Sequence, residues 1–142
     1  MFKKILLPID LEHSDVARRA LKLAMEEAQR SGSKLYVMTV APGFGMPIVA
    51  SFFDDATVKK AMKEVARHLK KFVDDHIPEE FHARSIVTEG NPPEQILKQA
   101  TEHNIDLIII SGYDTELDQM LLGSCSAKVV RHSNCSVLVV KN

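Results

Sequence analysis

Hydrophobic positions along the chain fall into two kinds of pattern: short unbroken apolar runs, and stripes at helical spacing. The first run, Ile5-Leu6-Leu7-Pro8-Ile9, suits a central parallel strand buried on both faces. Pro8 cannot donate to a ladder, which places it at the strand's end. Beyond Asp10 the period lengthens. Ala17, Ala20, Leu21, Ala24, Met25 and Ala28 recur at helical spacing, with Ser14 as N-cap and Ser31-Gly32 as a stop, so the spacing predicts a helix over 14–31. Leu35 to Ala41, rich in Tyr and Val, reads as the second strand. Val58, Ala61, Met62, Val65, Leu69, Phe72 and Val73 form the longest amphipathic stripe, and Lys59, Lys60, Lys63, Lys70 and Lys71 fall on or beside its wet side.

The second half repeats the alternation. Phe81 to Thr88 alternates imperfectly and carries His82 and Arg84, as an edge strand with one wet face would. Gly90-Asn91-Pro92-Pro93 turns into a helix containing Ile96, Leu97 and Ala100, with proline at the helix start. Asp106 to Ile110 is a second fully buried strand. Gly123-Ser124 opens a last helix, and Ser136 to Val140 is the last apolar strand. Strand–helix alternation of this kind predicts one α/β domain over 1–142: an open five-stranded parallel sheet with helices on both faces. Residues 42–55 form an unusually apolar loop with Phe52 and Phe53. It is either a lid or binding loop, or a segment whose phenylalanines pack on the core or on a second copy.

Composition narrows the partners. The 142 residues are 45% hydrophobic and 26% charged, with a net charge of -1. That balance argues against broad nucleic-acid binding, which needs clustered Lys and Arg. The two cysteines, Cys125 and Cys135, lack paired spacing and a neighbouring His pair, so neither a disulfide framework nor a zinc site is expected. The opening MFKKILLPID is too short an apolar run for a signal peptide. No stretch approaches the ~20 apolar residues of a membrane helix. The expectation is a cytoplasmic protein without membrane insertion.

In open parallel sheets, ligands bind beyond the C-terminal strand ends where strand order reverses. The strands at 5–9 and 106–110 are expected to flank that point. Their ends carry Pro8, Asp10, Ser111 and Gly112. The helix opening at Gly123-Ser124 would aim its N-terminus there, offering free N–H groups and about half a positive charge. Glycine lets a phosphate approach the backbone, Ser124 and Ser126 add hydroxyls, and Asp10 can accept from a ribose hydroxyl or an adenine amine. Taken alone, Gly123-Ser124 before a helix is more often an ordinary cap, and Asp10 at a strand end can likewise cap the next helix.

The segments KKILLPID, GNPPEQILKQA followed by DLIIIS, and LLGSCSAKVVRHSNCSVLVVKN resemble the universal stress protein family over nearly the whole chain. The resemblance implies an adenine nucleotide alpha hydrolase-like, Rossmann-type sandwich with strand order 3-2-1-4-5. It also implies binding of ATP, or of AMP or ADP, in stress response or regulation. Nucleotide-binding members carry G-x2-G-x9-G-[ST]. Here Gly123-Ser124 supplies the final pair, while the first half is degenerate: the glycine slots fall on Ser111 and Asp114, or on Gly112 and Thr115. Members similar to the F and G subgroup of enterobacterial stress proteins share this shortened loop. By the family pattern Pro8, Ile9 and Asp10 contact base and ribose. Thr39 and Val40 flank the adenine, and Ser111, Gly112, Gly123, Ser124, Cys125 and Ser126 line the phosphate path.

The loop 113–119 carries Asp114, Glu116 and Asp118 without Lys or Arg. Either it points away from a triphosphate as a solvated acidic loop, or Mg²⁺ sits between, with Asp114 the first candidate ligand. Cys125, in the first turn of a helix, is a thiol with a lowered pKa or a small packed hydrophobe. No His-to-nucleophile set composes a triad, so no turnover is expected; slow ATP hydrolysis is left open by the family resemblance and is not legible in these residues. The apolar strand Ser136 to Val140 at a sheet edge invites pairing. The resemblance implies a homodimer through it, with a tetramer as a further option. A monomer whose C-terminal tail lies under 42–55, and a dimeric interaction module without nucleotide, are the alternatives.

Overall fold

A computed structural model of the chain describes residues 1–41, 54–112 and 123–141. Five strands, β1 (Lys4–Pro8), β2 (Lys34–Ala41), β3 (Arg84–Glu89), β4 (Leu107–Ser111) and β5 (Ser136–Val140), pair all in parallel in the order β3-β2-β1-β4-β5. Among the described residues four α-helices connect them: α1 (Arg18–Ser31), α2 (Asp55–His76), α3 (Pro92–Glu102) and α4 (Ser124–His132). The chain runs outward from β1 to β3, then crosses back to β4 on the other side of β1. The strand order therefore reverses between β1 and β4, as expected.

The sheet separates two cores. Ile5, Leu7, Leu35, Val37 and Ile109 meet Ala20, Leu21 and Ala24 of α1 and Leu69, Phe72 and Val73 of α2. Leu6, Tyr36, Met38, Ile108 and Ile110 meet Ile96 and Ala100 of α3 and Val129 of α4. A strand with a core on each face has no polar side, which is why β1 and β4 are written as unbroken apolar runs. The edge strands differ. β3 is exposed or half-buried throughout, and on β5 Leu138 remains 43% exposed. Among the described residues no helix is long and apolar enough to cross a membrane.

Several boundaries move for local reasons. The helix expected over 14–31 is split. A 3-10 segment, Leu11–Ala17, precedes α1, and His13 (φ -131, ψ 48) is non-helical. Its cap is Asp10, whose carboxylate accepts from Glu12 N–H at 3.0 Å, so Ser14 is not the cap. Asp54 caps α2 by accepting from Thr57 N–H at 2.7 Å. That helix therefore begins before Val58 and takes in the end of the expected loop, whose residues 42–53 lie outside the described residues. Phe81 belongs to a 3-10 turn, Glu79–Phe81, and β3 starts only at Arg84. The turn ends in His82 at φ 49, a left-handed residue that no strand accommodates. The N-terminal ends of β1 and β4 are clamped by Asp106, whose carboxylate accepts from Lys3 N–H at 2.8 Å and Lys4 N–H at 2.9 Å.

Candidate functional site

At the C-terminal end of the sheet, two connections, after β1 and after β4, meet over the reversal point. Past β1, Ile9 N–H donates to Met38 O at 2.8 Å, and Thr39 Oγ1 donates to Ile9 O at 3.0 Å. The turn after Pro8 is thereby held against β2. Past β4, Ser111 Oγ donates to Val16 O at 3.3 Å, bridging to the 3-10 segment that follows β1. Gly112 N–H donates to Val140 O at 2.8 Å and extends the β4–β5 ladder by one residue. Gly112 O then accepts from Gly123 N–H at 2.6 Å, which brings the start of α4 back to the end of β4.

The structure thus gathers Pro8, Ile9, Asp10, Thr39, Val40, Ser111, Gly112, Gly123, Ser124, Cys125 and Ser126 at one end of the sheet. It does not give them the roles expected of their side chains in every case. Ser126 is 2% exposed, and its hydroxyl lies 3.3 Å from both Gly112 O and Gly123 O. It therefore does not offer a donor to the crevice: it faces inward and fastens α4 to β4. The hydroxyls of Thr39 and Ser111 are likewise spent on backbone carbonyls. Ser124 and Asp10 stay exposed. Gly112 has a packing reason for being glycine, since a Cβ there would stand 2.9 Å from Val139 Cγ1. The first intrahelical bond of α4 is Ala127 N–H to Gly123 O at 2.9 Å. The turn at 124–126 lies ahead of it, at the positive end of the helix dipole. Asp114 and the rest of the 113–119 loop lie outside the described residues.

Three features of this end were not read from the sequence. Asp10, Glu12 and His13 bring one ligand atom each within 4.8 Å of one another, all exposed. They are the single such group among the described residues, and carboxylates with an imidazole are donors suited to a divalent cation. The D-x-E-H spacing could have suggested it had Asp10 been recognised as the cap. Next, Lys141 Cγ lies 3.3 Å from the Cβ position of Gly112, and Arg19 Nη1 donates to Lys141 O at 3.0 Å. Arg19 of α1 is thereby tied to the residue that follows β5. Thr88, in register with Val40, is the third. Its Oγ1 is buried and has no hydrogen-bond partner among the described residues, a state that costs about 1–3 kcal/mol. Thr88→Val, nearly isosteric, is expected to raise stability by about 1 kcal/mol in urea unfolding. A loss of stability would show that the hydroxyl has a partner in solution.

Asp10 also sets the charge on His13. Its carboxylate lies 3.2 Å from Nδ1, and that hydrogen bond, followed by the Asp10 charge, raises the imidazole pKa above its ordinary 6.5. A raised folded-state pKa means that the pair stabilises fully below the unfolded value, and the contribution is lost as pH rises through the folded one. Asp10→Asn should return the His13 pKa toward 6.5 in an NMR titration. An unmoved pKa would show that the contact does not persist in solution.

Comparison with known proteins decides the family. The model of the Universal stress protein family matches residues 1–141. The chain belongs to the universal stress protein family. Universal stress protein MJ0531 of Methanocaldococcus jannaschii is 31% identical over 146 residues, covering 99% of this chain and 83% of its own. The solved structure of MJ0577 from the same organism is 29% identical with a TM-score of 0.79, over 100% of this chain and 97% of that one. A universal stress protein solved in complex with cAMP is 23% identical with a TM-score of 0.62, covering 99% and 97% of the two chains. One from Archaeoglobus fulgidus in complex with dAMP is 23% identical with a TM-score of 0.61, covering 98% of each. At that identity the last two speak for the shared fold of universal stress proteins.

Proposed function

We propose that this universal stress protein binds an adenine nucleotide, ATP before AMP or ADP, in the crevice between the ends of β1 and β4, and acts through it in stress response or regulation in the cytoplasm. The observation that carries the reading is the Gly123 N–H bond to Gly112 O at 2.6 Å. It sets the opening of α4 against the strand end at the reversal point, the place where such sheets hold anionic cofactors. Relatives of the same fold solved with cAMP and dAMP support an adenine nucleotide as the ligand class. In this reading Asp10 accepts from the ribose, Pro8, Ile9, Thr39 and Val40 border the base, and Ser111, Gly112, Gly123, Ser124, Cys125 and Ser126 follow the phosphates. The backbone rather than the hydroxyls of Ser111 and Ser126 faces the ligand. Mg²⁺ would accompany ATP, with Asp114 as a proposed ligand. A homodimer through β5 would cover the exposed Leu138, and tetramers would build on it.

One observation favours a second reading, an interaction module that holds no nucleotide. The hydroxyls of Thr39, Ser111 and Ser126 are all committed to backbone carbonyls, so the crevice is well satisfied without a ligand. Equilibrium dialysis against labelled ATP, with and without Mg²⁺, separates the two. Retention at micromolar to millimolar concentration is expected. No retention at millimolar ATP would leave the interaction module, and phosphate release lost in Asp10→Ala would add a slow ATPase.

A further inference from the structure

Asp10 is held on both carboxylate oxygens, and capping needs only one. Oδ1 accepts from Glu12 N–H at 3.0 Å, which completes the cap of the 3-10 segment Leu11–Ala17. Oδ2 lies 3.2 Å from His13 Nδ1. A carboxylate accepts and does not donate, so Nδ1 is the donor whether the imidazole is neutral or charged. His13 is tied to the same residue a second time, through its N–H to Asp10 O at 3.1 Å. It is also where the segment leaves helical geometry, at φ -131 and ψ 48.

The platform under the pair is fixed at both ends. Before it, Ile9 is bonded to β2 through Met38 O and Thr39 Oγ1. After it, Ser111 Oγ donates to Val16 O at 3.3 Å and ties the far end of the segment to β4. The pair itself is open, with both side chains 65% exposed. A contact so exposed adds little to stability. Its effect is to restrict a carboxylate that would otherwise turn freely. Fixing one side chain in advance strengthens whatever it then binds by a factor of about two to ten. Each carboxylate oxygen has two lone pairs, so both bonded oxygens keep room for a further donor.

We propose that His13 is a positioning residue for sugar recognition: it sets the Asp10 carboxylate so that the remaining lone pairs meet the ribose hydroxyls of a bound adenine nucleotide. This rests on the nucleotide reading above and adds to it a residue outside the strand ends and α4. In this role His13 touches neither base nor phosphate. Its removal is therefore felt only by ligands that carry the hydroxyls.

Equilibrium dialysis of the full chain in EDTA, against AMP and against its 2′,3′-dideoxy analogue, reads the sugar without a metal. The parent should prefer AMP about tenfold, since hydroxyls on a carboxylate make charge-assisted hydrogen bonds. His13→Leu should lose about fivefold in AMP affinity and nothing in affinity for the dideoxy ligand. His13→Asn, which keeps an N–H donor near the Nδ1 position, should regain most of the AMP affinity. Circular dichroism should show both variants folded. An unchanged AMP preference in His13→Leu overturns the role, and so does an equal loss for both ligands, the mark of a merely structural residue. A parent that binds AMP without preferring it overturns sugar recognition by Asp10 and leaves nucleotide binding standing. A parent that retains neither ligand removes both.

Discussion

Gly112→Val will lower the stability of the chain by about 3 kcal/mol, a fall in Tm on the order of 10 °C for a domain of this size. The reason is steric and local. A Cβ at this position would meet Val139 Cγ1 at 2.9 Å, Lys141 Cγ at 3.3 Å and Val140 O at 3.4 Å. The first distance is shorter than real carbon contacts, so β5 must move away from β4 or Val139 must leave its rotamer. If β5 moves, the bond from Gly112 N–H to Val140 O, 2.8 Å long, is stretched as well. The origin of the effect is checked by coupling. Val139→Ala removes the colliding methyls and should return a good part of the loss in the Gly112→Ala background, a positive interaction in a double-mutant cycle. Unchanged Tm in Gly112→Val would show that the end of β5 is not packed as described.

That glycine illustrates how far the sequence could be read. Its identity pointed to close approach of a phosphate, and the structure supplies a second, sufficient reason in the side chain of Val139. Nothing local in Ser-Gly reveals a neighbour across a parallel ladder, because the partner strand lies 24 residues further along, at Ser136. The parallel sheet and the burial of β1 and β4 around the reversal point were legible from strand–helix alternation and unbroken apolar runs, although β5, an equally apolar run, lies at the edge with Leu138 exposed. Phe81 and His82 were misread as strand for the same kind of reason. Imperfect alternation is compatible with an edge strand and with a tight turn, and only the left-handed backbone of His82 distinguishes them. Ser126 was misread because its hydroxyl is equally at home in a ligand path and against the carbonyls of Gly112 and Gly123.

Charge placement ties these points together. At the crevice end, Asp10 and Glu12 are exposed carboxylates. What favours an anion there is the dipole of α4.

Gly123→Val is the variant that separates ligand binding from folding. Gly123 has φ -59 and ψ 155, a backbone conformation open to valine, and as the N-cap it carries no side-chain bond to lose. Replacing a cap glycine with an apolar residue costs about 1 kcal/mol, so a single cooperative unfolding transition should persist near the parent Tm. Nucleotide should not persist. A branched side chain at the opening of α4 would stand where the proposed phosphates approach, ahead of the first intrahelical bond from Ala127 N–H. Affinity for ATP in equilibrium dialysis should fall about a hundredfold or more, near 3 kcal/mol. Gly123→Ala, with one added carbon, should fall about tenfold. A folded Gly123→Val that retains ATP as well as the parent would place the nucleotide elsewhere on the chain. A parent that retains none would instead remove the nucleotide reading itself, leaving the sheet order and the packing of α4 on β4 as they are.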